Sequence, residues 1–162
     1  MGTEPTLAED EARLVGYAAD LADAIDAALP TWVERGLRAR AGTGGVPFVA
    51  EEVGDVVDET RAVVMAEVRA VLGADVDAAG GSPLAVLRRG VGPMTDCLRR
   101  WGAARPPRDE FHERRFPDDP YELGPASFAD LAPELHEPGL LWGAARAHVH
   151  LRRRRDAGGS DG

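Results

Sequence analysis

The chain has 162 residues, nineteen basic side chains against twenty-eight acidic ones, and a net charge of −9. A domain of that size builds a core without cross-links, and the single cysteine, Cys97, excludes an intramolecular disulfide. The acidic balance disfavours a dedicated nucleic-acid binder, and no apolar run approaches the ~18 residues that cross a bilayer.

Met1 to Asp10 carries acids instead of a basic leader, and no apolar signal core follows. With one thiol and no membrane span, a small soluble protein of the reducing cytoplasm is expected. The chain lacks Lys, Asn and Gln, and Ile25 is its one isoleucine. This bias reads as genome composition, which weakens any argument that a particular Arg was chosen for its bidentate geometry. Charge is uneven: after residue 145, five arginines (Arg146 and Arg152 to Arg155) face two acids, which leaves −12 on residues 1–145.

Thr6-Leu7-Ala8-Glu9 has the form of a capping box that opens a helix. Leu14, Ala18, Leu21, Ile25, Ala28 and Trp32 then recur at spacings of three and four, a stripe for helix packing. Asp20, Asp23 and Asp26 fall mainly off it. Pro30 either kinks one long helix or starts a second at Leu29. Gly42, Gly44 and Gly45 end the pattern near Ala41.

Pro47 suits a first helical turn. Val49, Val53, Val56, Thr60, Val64, Val68 and Val71 follow at helical spacing, with Glu51, Asp55 and Glu59 on another face. Valine favours strand, but the period, sustained over more than twenty residues, predicts helix. A loop over 73–81 leads to Ser82-Pro83, a cap followed by proline at a helical first position. Leu84, Leu87, Val91, Met94, Leu98 and Trp101 form a third stripe, with a kink or break expected at Gly90, Gly92 and Pro93.

Beyond Arg105 the character changes. Residues 106–138 hold seven of the twelve prolines, and residues 101–142 hold six of the nine aromatics. A disordered linker is poor in rings, so this irregular stretch is expected to lie ordered across the helices, with one short helix within 125–131. The last helix is predicted from near Pro138 to about Arg155, with Leu141, Ala144 or Ala145, His148, and Leu151 or Arg152 lining one side of it. The fold class is therefore all-α: a kinked bundle of three or four main helices under a Pro/aromatic-rich covering segment. Residues 1–155 make one domain and 156–162 a disordered tail.

The chemistry-bearing residues form no catalytic or cofactor constellation, and no metal site is expected. His148 and His150 stand two apart, about 200° around a helix, so one ion cannot easily take both. Asp109 and His112 are a single loose analogue of a carboxylate–histidine pair, without the second copy a di-metal bundle needs. Glu51, Asp55 and Glu59 read as a solvated acidic face. Cys97 has no flanking base and reads as a buried thiol. The Gly42-Thr43-Gly44-Gly45 run lacks the strand, Lys and Ser/Thr of a phosphate loop. Arg152 to Arg155 complement the dipole at the end of the last helix, while a basic tail of this kind can also touch phosphates.

The most distinctive stretch is Phe116 to Leu123, with Glu137 to Gly143 after it. It serves either as a docking surface or lid, or as a tether sealing the open side of the bundle, and the tether is the preferred reading. Asp118, Asp119, Tyr121 and Trp142 are its candidate surface residues. The leading functional expectation is a non-enzymatic module that binds a protein partner or itself. An enzyme or small-ligand site beneath residues 109–142, using His112, Asp118, Tyr121 and His136, is the second. A nucleic-acid accessory working through Arg152 to Arg155 is the third.

Overall fold

The computed structural model describes residues 4–78, 80–104 and 119–159. The architecture is an all-α bundle, with no strand among the described residues. Helix α1 spans Leu7–Thr43, α2 Ala50–Leu72, α3 Pro83–Arg89, α4 Val91–Arg100, the short α5 Phe128–Leu131 and α6 His136–Gly158, with a single 3-10 turn at Pro133–Leu135 before α6.

The capping box forms as the spacing requires. The Thr6 amide donates to Glu9 Oε2 at 2.6 Å, and the Glu9 amide donates to Thr6 Oγ1 at 3.3 Å. α1 then runs unbroken through Pro30, so no second helix begins at Leu29. Pro30 is exposed, and the carbonyl that loses its amide partner there can turn to water. The inner side of α1 is Leu14, Ala18, Leu21, Ile25, Leu29, Trp32, Val33, Leu37 and Ala41, all buried. Ala28, on the predicted stripe, is half-buried, and Leu29 beside it takes the core position.

α2 lies against α1, α3 and α4 and buries Val56, Val57, Thr60, Val64, Met65, Val68 and Leu72, with Thr60 and Val64 against Gly90. Its β-branched residues form a helix because the period buries them together, which overrides propensity. Pro47 stays outside the helix, which opens three residues later. In the connector over residues 46–49, the Phe48 ring meets Trp101 edge to face at 5.5 Å and carries the Arg38 guanidinium 4.2 Å over its face. At the seam, Asp26 accepts from Arg61 Nε at 2.6 Å and from Arg69 at 3.4 Å. The Arg61 bond, helped by Arg69, holds the Asp26 carboxyl below its ordinary range.

The third stripe breaks at Gly90 alone, between α3 and α4; Gly92 and Pro93 sit inside the first turn of α4. Leu87, Val91, Met94, Cys97 and Leu98 close the core from this side. From the residues after 118, Tyr121, Leu123, Leu131, Ala132 and Leu135 join the same core cluster. Arg35 of α1 donates to the carbonyls of Asp130 and Leu131 and fastens α5.

Candidate interaction surface

α6 departs most from its predicted packing. Its buried residues are Gly139 and Val149, and its half-buried ones include Trp142, Ala145, Arg146, Arg152 and Arg153. Of the side predicted from the spacing, Leu141 is 43% exposed and His148 is exposed as well; of its two pairs of alternatives, Ala145 and Arg152 are half-buried, while Ala144 is exposed and Leu151 is 58% exposed. Helix continues to Gly158, three residues into the stretch expected to be irregular.

The inner side of α6 is fastened by rings at one end and ions at the other. Near its start, Gly139 lets the helix approach Phe128 so closely that a Cβ would sit 2.6 Å from the Phe128 ring. Phe128 in turn meets Trp142 edge to face at 6.3 Å. Trp142 Nε1–H donates to the Leu72 carbonyl at 3.1 Å, and Arg146 donates to that of Ala74 at 3.3 Å. Both acceptors lie at or just past the end of α2, so this helix terminus is capped by side chains from α6.

Toward its C-terminus α6 is held by charge. Asp10, only 4% exposed, accepts from Arg152 Nη1 at 2.6 Å, and His148 Nε2 lies 3.1 Å from the same oxygen. Arg152 also donates to the Pro5 carbonyl at 2.7 Å. The Arg152 hydrogen bond, with His148 adding to it, lowers the Asp10 pKa against the opposing effect of burial. Arg153 Nε donates to Glu11 at 2.9 Å, and its Nη1 pairs with Asp75 and reaches Asp77 at 3.4 Å. His150 Nδ1 stands 2.9 Å from Asp77. The start of α1 and the loop after α2 are thus clamped onto one end of α6. Two of the four arginines in the 152–155 run are consumed internally; Arg154 and Arg155 remain exposed.

With its inner side fixed, α6 turns a different sequence outward. Leu140 is 60% exposed, and Ala144, Ala147 and Leu151 stand with it on the crest opposite the core, flanked by Leu141 and His148. Spacings of four, three and four give the heptad seam by which helices pair. A run of exposed leucines on one face marks an interaction surface more often than leucines scattered singly do.

Of the candidate residues in the proline-rich stretch, the described ones, Asp119 and Tyr121, lie elsewhere and face inward. Asp118 lies outside the described residues, as do His112 and Asp109. Asp119 is buried, and its carboxylate accepts the amides of Tyr121, at 3.2 Å, and of Gly124. This shapes a turn in which Glu122 takes a left-handed φ of 56° and pairs with Arg40 at 3.5 Å. Gly124 is required here, since a Cβ would lie 2.7 Å from Arg88 and 2.9 Å from the Asp119 carboxylate. Tyr121 is 4% exposed and anchors in the core. Asp119 and Tyr121 therefore offer little surface to a partner, and Trp142 spends its N–H on Leu72. The predicted lined side of α6 takes in Leu141, and Leu151 as an alternative to Arg152, and leaves Leu140 out, although Leu140, Ala144, Ala147 and Leu151 share one helical period.

Other chemistry is muted. Burial, with the Glu52 carboxylate adding to it, pushes the Cys97 thiol up to about 11, and the same carboxylate accepts Trp101 Nε1–H at 2.6 Å. A groove of about 500 Å³ lies where α2 opens against α1, lined in part by Pro30, Phe48, Val53 and Val57. A smaller one of about 280 Å³ runs beside Val15 and Arg69. Neither is lined by residues 119–142. Among the described residues, no three His, Cys, Asp or Glu side chains are grouped to hold a metal ion, and no helix is long and apolar enough to cross a membrane.

Comparisons of the chain with protein-family models, with curated proteins and with solved structures find no match.

Proposed function

We propose that this protein is a non-catalytic interaction module that receives a helix of a protein partner on the outer crest of α6. The observation that carries this reading is the pairing of opposites on one helix. The inner side is tied to α1, α2 and α5 by rings and ions, while Leu140, Leu141 and Leu151 stand in solvent at 60%, 43% and 58% exposure. A helix held rigidly at both ends presents those leucines without an ordering cost at binding. A partner helix with apolar residues at heptad spacing fits the crest, in the helix-on-helix mode of recognition.

The nucleic-acid reading has less support, because Arg152 and Arg153 are neutralised by Asp10, Glu11, Asp75 and Asp77. The test places a photo-crosslinking residue at Ala147 on the crest and, separately, at exposed Asp20 on α1. Each protein is then irradiated in a nuclease-treated lysate of the native host. Protein adducts at position 147, a second copy of the chain included, and their loss when Leu140 and Leu151 become Glu, support the reading. Equal adducts at both positions, or adducts that survive the two substitutions, overturn it.

A further inference from the structure

The crest of α6 reads almost the same in either direction. About a centre between Ala145 and Arg146, Leu140 mirrors Leu151, Ala144 mirrors Ala147, and Glu137 mirrors Arg154. All six of these residues are exposed. Turning the helix end for end therefore sets leucine on leucine, alanine on alanine, and acid on base. A surface complementary to its own reversal is what a twofold interface requires, since the same patch must serve both partners.

Resting on the interaction reading above, we propose that the partner is a second copy of this chain, its α6 packed antiparallel on this one. Leu140 then meets the partner's Leu151, and Ala144 meets the partner's Ala147. The small central pair lets the helix axes approach to the short end of the ~8–10 Å packing range. At each end Glu137 meets the partner's Arg154, with Arg155 beside it. Parallel pairing keeps the leucines in register too, but it sets acid against acid at one end and arginine against arginine at the other. Charge thus selects the antiparallel arrangement.

The seam is short. Leu140 to Leu151 spans about 16 Å of helix, so the contact falls in the small, transient class of interface, below ~1,200 Å² in total. Each copy also carries −9, and like charge opposes association. Weak dimerisation follows, with Kd on the order of 100 µM.

Cys97 makes the test clean, because its thiol is buried and held protonated, leaving one introduced cysteine as the reactive group. Ala144→Cys and Ala147→Cys variants of the full chain are oxidised gently, alone and mixed in equal amounts, at several hundred micromolar. The antiparallel pair predicts severalfold more 144–147 cross-link in the mixture than either variant forms with itself. Dominant 144–144 and 147–147 products overturn the antiparallel arrangement. Sedimentation of the unmodified chain should move from monomer toward dimer mass as concentration rises through the same range. Glu137→Arg should weaken the dimer severalfold, and Glu137→Arg with Arg154→Glu should restore it, a rescue that loss of folding cannot imitate. A monomer at every concentration with no cross-link overturns self-pairing. If the lysate adducts at position 147 persist in that case, the interaction reading stands with a different partner, and if they too are absent, both fall.

Discussion

α1 and α6 are both long helices of one bundle, yet they are held in opposite ways. α1 presents a continuous apolar side to the core, from Leu14 to Ala41, and its carboxylates lie mostly outside. α6 buries one valine and one glycine outright, relies on Trp142 and on Arg152 and Arg153 for most of its grip, and turns its leucines to solvent. Apolar burial is non-directional and scales with area. The α6 clamp depends on a few named pairs: those of Arg153 are partly exposed, individually weak and screened by salt, while Arg152 holds the buried Asp10, which salt screens less. The difference separates a helix that builds the core from one that is carried on it and keeps a face free.

The largest effect expected is on the α1 side. Leu29 is fully buried, so Leu29→Ala removes transfer energy and leaves a cavity, at a cost of about 3 kcal/mol. Urea unfolding checks it, and a loss below 1 kcal/mol would show that α1 is not the core helix. Next comes Gly139→Ala, whose added methyl meets Phe128 at 2.6 Å. Overpacking of this kind costs about 1–3 kcal/mol. It should displace the Phe128–Trp142 contact first, so near-ultraviolet circular dichroism should change more than the far-ultraviolet signal.

The same contrast explains what could be read from the chain. The three N-terminal stripes were legible because a period of 3.6 with apolar residues on one side has one reading in a bundle: Val56, Thr60, Val64 and Val68 are buried as the spacing required. α6 has a much weaker apolar stripe, and there the spacing leaves the inward side open between Ala144 and Ala145 and between Leu151 and Arg152. Which face goes in is decided by Gly139 fitting Phe128 and by arginines finding Asp10, Glu11 and Asp75, partners more than sixty residues away in sequence. Long-range ionic pairing leaves no local pattern. A basic run paired with an acidic first helix was the one available signal, since Asp10 and Glu11 stand where an ordinary N-terminal turn also favours acids. Phe48, beside the expected proline start of α2, likewise contacts distant Trp101, and the helix opens at Ala50. Asp119 and Tyr121 were singled out for their chemistry, and that chemistry is used to shape a turn and fill the core.

A smaller effect concerns pH. Asp10 and Asp75 are held below their ordinary range, Asp10 foremost by Arg152 and Asp75 foremost by the Asp77 amide, with Arg153 next. A carboxylate whose folded pKa is depressed contributes stability above its unfolded value and loses it as pH falls through the folded one. Stability should therefore hold through neutrality and decline below about pH 4. The decline should come earlier for Trp142 fluorescence, on the helix that the clamp holds, than for the helix signal of the bundle. Asp10→Asn should lower stability at neutral pH and flatten the acid slope. A slope unchanged by that substitution would detach α6 from its ionic clamp.

The smallest effect on stability is expected on the free face, and it is the sharpest test of the contrast. Leu151→Ala is the same chemical change as Leu29→Ala, but Leu151 is 58% exposed. In dilute solution it should shift stability by no more than about 0.5 kcal/mol, the range of ordinary surface substitutions. At several hundred micromolar it should remove much of the concentration-dependent gain in melting temperature that association confers on the folded state. If Leu151→Ala instead destabilises the dilute monomer by 2 kcal/mol or more, on the scale of a core leucine, then the outer crest of α6 is covered within its own chain, and the two long helices are held alike after all.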